Sequence, residues 1–361
     1  MAGIERFIRP ELATFGGYVA NKSPEVLQGI ARKIIKLDAN ENPYGCSPRT
    51  LKALCQYKDW NIYPDAEQTK LRELLQKYTG VDAKRIVAGN GSDEILDEIL
   101  RLFLEPGDEV INCVPTFDMY RLRTIVNRGK LVDIPRDENF VVRVAAVKSA
   151  ITPKTKLIII ANPNAPTGTP TPREYLVELA ETGVPFLVDE AYYEFYGETV
   201  INLVNRYENL MVMRSFSKWA GLAGLRIGYG IFPPKIAGYL MRIKPPYNVN
   251  VAAMVAAIET LKDIDYLMKN VKKIVAERER LFGELKQFKW LNPYPSKANF
   301  ILCQVLKGEA SQIQQRLQRQ GILIRCIDQP PLLPNCLRIA VGKPEENDML
   351  VRRLRELEAS H

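Results

Sequence analysis

The chain has 361 residues, 46% of them hydrophobic and 25% charged, and its one histidine is the last residue, His361, which excludes histidine triads, histidine metal sites and histidine general bases. The net charge is +8, but the basic residues are interleaved with acids, as in Val271–Arg280, so the pattern reads as solvated helix faces and not as a nucleic-acid stripe. No run reaches the roughly 18 apolar residues of a membrane span, no signal-peptide core follows Met1, and no Cys-x-x-Cys pair occurs among Cys46, Cys55, Cys113, Cys303, Cys326 and Cys336. No metal site, disulfide framework or membrane association is therefore expected, and a cytoplasmic protein with reduced thiols is.

In chain order, residues 1–35 read as an N-terminal arm, with Gly16, Gly17 and Tyr18 at a pliant spot and a helix start at Ser23 and Pro24. A short apolar strand then enters the polar loop Asp38–Gly45, where Asp38, Asn40, Glu41 and Asn42 supply turn chemistry and hydrogen-bonding groups. Tyr63 stands before Pro64 in a second loop, and an amphipathic helix runs on to Tyr78.

From Arg85 the pattern is strand, glycine turn, helix: Gly89 and Gly91 allow a tight turn, Ser92 or Asp93 can cap the helix, and Ile95, Leu96, Ile99, Leu100 and Phe103 keep helical spacing. Free amides at such a start bind anions, although one Gly-x-Gly is neither a dinucleotide fingerprint nor a P-loop. A strand from Glu109 ends in Pro115, Thr116 and Phe117; Lys156–Ala161 is a buried, parallel-type strand; and the loop Asn162–Gly168 is broken by Pro163, Pro166 and Gly168. A helix over Pro172–Thr182 leads to an apolar strand with Asp189 at its exit, followed by Tyr192. The strand Leu210–Met213 runs into Ser215, Ser217 and Lys218, then into small residues and Arg226.

Strands and helices alternate from about 85 to 230, the signature of a parallel sheet wound with helices. Past 245 the pattern is α+β: helices at 251–262 and 265–288, a strand over Asn299–Val305, a helix at 309–320, strands over Ile322–Arg325 and Cys336–Gly342, and a last helix at 344–358. The expected division is an arm (1–35) that packs with the smaller unit, a large domain (36–245) and a small C-terminal domain (246–361).

These strand ends carry what a pyridoxal phosphate site requires. Lys218 can form a Schiff base once burial lowers its pKa. Asp189 can pair with the pyridine nitrogen and Tyr192 can donate to the ring oxygen. Phe117 can stack on the ring, while Gly91, Ser92, Asp93, Ser215, Ser217 and Arg226 can surround the phosphate.

The segments Leu37–Gly45, Tyr63–Pro64, Gly89–Glu94, Asn162–Gly168, Asp189–Tyr192, Ser215–Arg226 and Asn335–Gly342 together resemble the fold-type I pyridoxal-phosphate aminotransferases and, among them, the histidinol-phosphate branch. The likeness spans nearly the whole chain. It implies an α/β fold of the PLP-dependent transferase fold type I: a large domain with a mostly parallel central sheet wrapped by helices, and a smaller α+β domain. It also implies transfer of an amino group between L-histidinol phosphate and 2-oxoglutarate, in histidine biosynthesis. Lys218 would be the Schiff-base lysine and proton shuttle, with Asp189 and Tyr192 tuning the ring. Tyr63 would reach the cofactor phosphate of the neighbouring subunit in a homodimer. Arg338 would bind the glutamate carboxylate, and Arg325 and Arg338, with Tyr18 and Asn42, would hold the substrate phosphate. Many relatives have Asn directly before Pro-Thr-Gly as a donor to the ring oxygen; here that position is Ala165, so either Asn164 substitutes or Tyr192 bears the contact alone. The competing readings are an aromatic or other amino-acid aminotransferase and a phosphothreonine decarboxylase of the same fold. A nucleotide-dependent oxidoreductase and a non-catalytic binding protein fit the Lys218 context less well.

Overall fold

The computed structural model describes residues 3–13, 15–17, 34–329 and 331–359; Tyr18 and the helix expected at Pro24 lie outside these. Twelve strands are described. They are β1 (Ile35–Leu37), β2 (Ile86–Gly89), β3 (Glu109–Val114), β4 (Lys130–Pro135), β5 (Thr155–Ala161), β6 (Phe186–Asp189), β7 (Leu210–Ser215), β8 (Gly228–Ile231), β9 (Leu291–Pro293), β10 (Phe300–Val305), β11 (Ile322–Gln329) and β12 (Leu333–Ala340). Seven of them form a sheet in the order β2-β8-β7-β6-β5-β3-β4, and five form a second in the order β1-β11-β12-β10-β9.

The larger sheet is parallel except for β8, which runs antiparallel to both β2 and β7. The α/β architecture expected from the alternating pattern is therefore present. The inner strands are apolar on both faces because helices cover both: Leu157, Ile158, Ile159 and Ile160 of β5 are all at most 1% exposed. Each such side chain contributes about 1.5–3 kcal/mol relative to exposure. The sheet is thus rigid at its centre, and its C-terminal strand ends are where chemistry is placed.

Three elements depart from the expectations. Strand β1 pairs in parallel with β11, so it belongs to the smaller sheet, and the boundary expected at 35/36 runs through it. Strand β8 hides in Gly228–Ile231 because two of its four residues are glycines that give no apolar signal. Gly228 is required there, since a Cβ would lie 2.5 Å from the Ser92 amide nitrogen. The helix Ser92–Phe103 has Gly91 at its N-cap and no side-chain cap; Asp93 pairs instead with Arg226 (2.8 Å), a stronger partner than a backbone amide. No described helix is long and apolar enough to cross a membrane.

The ends of β6 and β7 are tied by a fully buried ion pair. Arg214 donates through Nε and Nη2 to Glu190 Oε2 (3.0 and 2.7 Å), Nη2 also reaches Thr199 (2.8 Å), and the guanidinium lies 3.6 Å from the centre of the Tyr193 ring. Beyond β7 the chain turns through Gly221, at φ +68°, where a Cβ would meet the backbone of Gly45 at 2.4 Å. Two loops far apart in the sequence, at Gly45 and Gly221, are packed backbone to backbone at that point.

Gly221→Ala is expected to cost roughly 2 kcal/mol or more, since it combines a left-handed φ with a backbone clash. Thermal unfolding checks this: a melting temperature within a degree of the parent's would show that the two loops separate freely.

Candidate active site

Lys218 follows β7 in the tight segment Phe216–Gly221, whose apolar residues Phe216, Trp219 and Ala220 are fully buried and fix the backbone. Its Nζ donates to the Ala39 carbonyl at 3.0 Å. Burial, then the nearby Arg338, lowers the amine to about 8, with Glu41 acting in the opposite direction. A lysine so depressed reaches its neutral, nucleophilic form far more readily than a surface lysine.

Asp189 closes β6 and is 7% exposed. Tyr120 donates its hydroxyl to Asp189 Oδ2 at 2.6 Å, and the Ala191 amide donates to Oδ1 at 2.9 Å. Burial raises this carboxyl to about 6, against the lowering effect of the two hydrogen bonds. Tyr120 stands on the helix Asp118–Val126, one turn past Phe117, and its ring meets Phe117 edge-on (5.7 Å, 88°). Sequence reading passed over it because an apolar-looking tyrosine inside a short helix gives no motif.

Tyr192 lies edge-on to Phe300 (5.3 Å, 78°) and accepts a hydrogen bond from Asn40 Nδ2 at 3.0 Å. Lys218, Asp189, Tyr192, Phe117, Ser92, Asp93, Ser215, Ser217, Arg226 and Arg338 all line one cavity of about 270 Å³. Ser217 donates its backbone N–H to Ser215 Oγ (3.1 Å). Arg226, at the left-handed φ of 53°, reaches Asp93 and, at 3.5 Å, Ser217. Gly91 permits this packing, because a Cβ there would sit 2.4 Å from Arg226 Nη2. The hydroxyls, the guanidinium and the helix start make an anion cradle.

Arg325 and Arg338 are direct partners across β11 and β12, and both line a second cavity of about 420 Å³ that shares Phe117, Ala165 and Arg338 with the first. Arg338 donates to the Asp38 carbonyl at 2.8 Å. Like charges directly opposite in a ladder are unfavourable, and an anion between them relieves the repulsion.

Three expected residues stand elsewhere. Asn164 is fully buried and turned away from the cavity: its amide donates to Pro115 O (3.0 Å) and Thr167 Oγ1 (2.9 Å), and its oxygen accepts from Thr116 (2.8 Å). It cannot substitute for the donor missing at Ala165, because its bonding capacity holds the loop together. Asn42 lines neither cavity: it donates to the Trp219 carbonyl (2.7 Å) and accepts from the Tyr44 amide (2.9 Å). Tyr63 is 75% exposed and stacks on Tyr247 at 4.4 Å, lining neither cavity. Asn40, which the sequence offers as turn chemistry and a hydrogen-bonding group, lines the cavity, and Asn42 does not.

A family model described as aminotransferase class I and II matches residues 32–354. The chain belongs to this family. A histidinol-phosphate aminotransferase of Dehalococcoides mccartyi is 53% identical over 354 residues, covering 98% of each chain. A chloroplastic histidinol-phosphate aminotransferase of Arabidopsis thaliana is 42% identical, covering 98% of this chain and 86% of its own. Among solved structures, a histidinol-phosphate aminotransferase of Sinorhizobium meliloti in complex with pyridoxal-5'-phosphate superposes with a TM-score of 0.88 at 29% identity, covering 98% of both chains. The family is pyridoxal-phosphate dependent. The donor set fits that cofactor: a depressed lysine for the aldehyde, a buried carboxylate for the ring nitrogen and an anion cradle for the phosphate. Asn40 Oδ1 is moreover buried without a hydrogen-bond partner, a polar edge left over beside the cavity.

Because the Lys218 amine titrates at about 8, covalent uptake of pyridoxal phosphate by cofactor-free protein is expected to accelerate as pH rises toward 8 and to level off above it. Stopped-flow absorbance across this range checks the sign; a rate still climbing near pH 10, the ordinary lysine range, would mean that burial does not depress the amine.

Proposed function

We propose that this aminotransferase interconverts L-histidinol phosphate and 2-oxoglutarate with imidazole-acetol phosphate and L-glutamate. The observation that carries this substrate is the cross-strand pair Arg325 and Arg338, which lines a second cavity sharing Phe117, Ala165 and Arg338 with the Lys218 cavity. Two substrates occupy such a site in turn, one bearing a carboxylate and one a phosphate, and both are oxyanions matched by guanidinium forks. The high identity to histidinol-phosphate aminotransferases over the full chain supports the same reading.

Pyridoxal phosphate, when bound, supplies the electron sink for the carbanion formed at the substrate's α-carbon. The chain supplies position and protons. Lys218 would hold the cofactor's aldehyde carbon and, as the free amine, would serve as the base that takes and returns the substrate's proton. Asp189, steadied by Tyr120, would pair with the ring nitrogen, and Tyr192 would donate to the ring oxygen. Phe117 would stack on the ring. The Gly91–Asp93 turn, Ser215, Ser217 and Arg226 would hold the phosphate, and Arg338 would bind the substrate carboxylate.

The enzyme acts as a cytoplasmic homodimer in this reading. Trp60, Ile62, Tyr63, Ile243 and Tyr247 are each at least 45% exposed in the single chain, and the Tyr63–Tyr247 stack stands among them. Exposed aromatic and aliphatic groups of this density mark an interface. Tyr63 would then complete the partner's phosphate site.

Adding histidinol phosphate to the yellow protein without any oxo acid tests the assignment. Rapid bleaching with this compound and none with phenylalanine is expected; bleaching mainly with phenylalanine would move the enzyme to aromatic substrates, and carbon dioxide from phosphothreonine would make it a decarboxylase. Arg325→Ala is expected to raise KM for histidinol phosphate by about 10-fold to 100-fold, the worth of a charge-assisted hydrogen bond, and to change KM for glutamate far less. Equal losses for both would refute the division of labour. Mixing Lys218→Ala and Tyr63→Ala protomers is expected to restore activity toward about a quarter of the parent's, because half the dimers are hybrids with one intact site; no recovery would place Tyr63 outside the partner's site.

A further inference from the structure

We infer that Asn40 is a positioning residue for Tyr192, setting the direction in which its hydroxyl donates toward the cofactor's ring oxygen. The inference deepens the reading of the same site and rests on pyridoxal phosphate occupying it.

The wall of the cavity beside Tyr192 is short of donors. Ala161, Pro163 and Ala165 all line it, and none carries a side-chain N–H or O–H. The neighbouring carboxamide of Asn164 is committed to Pro115, Thr167 and Thr116. Asn40 lines the same cavity, is 1% exposed, and donates Nδ2–H to the Tyr192 oxygen at 3.0 Å. A phenol oxygen that accepts from an amide keeps its own O–H for donation elsewhere. Reversing the bond would draw the Tyr192 proton onto the asparagine and away from a ligand.

The asparagine is built to stay in place. Its φ is +55°, a left-handed conformation that asparagine tolerates better than most residues with a Cβ. Its carbonyl accepts from Asn299 Nδ2 at 2.9 Å, and Asn299 immediately precedes Phe300, whose ring braces Tyr192 from the other side. The tyrosine is thus fixed at its hydroxyl by Asn40 and at its ring by the residue next to the one that holds Asn40.

The test is spectroscopic. The pH midpoint of the bound cofactor's absorbance band reports how strongly the ring oxygen's negative charge is stabilised, and a lost donor leaves the proton held more tightly. Asn40→Gly retains the left-handed backbone and removes the amide. It is expected to raise the midpoint by about half to one pH unit, the worth of a hydrogen bond. In a Tyr192→Phe background the same change is expected to add nothing, because the hydroxyl that Asn40 orients is gone. Adding Ala165→Asn to Asn40→Gly is expected to return the midpoint toward the parent's by supplying a donor from another position in the cavity lining. Should Asn40→Gly fail to fold, Asn40→Asp tests the same point, since it has the same shape and offers an acceptor in place of the donor; its midpoint is expected to rise as well. An unshifted midpoint in whichever variant folds, or an equal shift with and without the Tyr192 hydroxyl, would overturn the inference. A protein that never takes up pyridoxal phosphate would refute the cofactor reading instead, so the two failures are distinct.

Discussion

The buried pair of Arg214 and Glu190 is the constraint on which the site's geometry depends. Glu190 directly follows Asp189, and Arg214 directly precedes Ser215, three residues short of Lys218. The pair therefore ties together the two strand ends that carry Asp189 and Lys218. Bringing both ions out of water is costly, and the cost is offset only because the geometry is bidentate, Thr199 donates to the carboxylate and Tyr193 covers the guanidinium. With one partner removed, the other would be stranded in a layer with no water to receive it. The close-packed core of β5, β6 and β7 resists sliding of the strands that carry Asp189 and lead into Lys218.

Against that frame the electrostatics of the site run in opposite directions at its two ends. Burial raises the Asp189 carboxyl and lowers the Lys218 amine, so each is held closer to neutrality than in water. Arg325 and Arg338 stand opposite each other in the smaller sheet, and Arg338 is held to the Asp38 carbonyl.

Much of this was legible in the sequence, for physical reasons. Parallel strands buried on both faces leave continuous apolar runs such as Leu157–Ile160, and their exits are marked by abrupt polarity at Asp189 and at Ser215–Lys218. Asp189, Ser215, Ser217 and Lys218 all line one cavity. Residues whose job is to hold others did not read. Tyr120 acts on Asp189 from a helix 69 positions earlier in the chain, and no local pattern encodes that separation. Asn164 and Asn42 are polar side chains in loops, and the fold uses them to pair backbone groups there: Asn164 bonds the Pro115 carbonyl, and Asn42 the Trp219 carbonyl and the Tyr44 amide. Strand β8 escaped notice because its glycines serve close approach and carry no hydrophobic period. Tyr18 lies outside the described residues, so its expected role stays with the sequence.

Three consecutive residues leaving β1 each grip a different part of the site: the carbonyl of Asp38 takes Arg338, the carbonyl of Ala39 takes Lys218, and the amide side chain of Asn40 takes Tyr192. Two of the three grips use main-chain atoms, which no side-chain substitution can remove. Strand β1 itself is hydrogen-bonded into the smaller sheet, so this tripeptide works as a common axle between the sheets: a displacement of the smaller one reaches substrate arginine, amine and phenol together. Redesign of substrate range is thereby channelled. Changes in side chains at 38 and 39 leave their two grips intact, whereas an insertion or deletion anywhere between β1 and Asn42 shifts all three contacts at once.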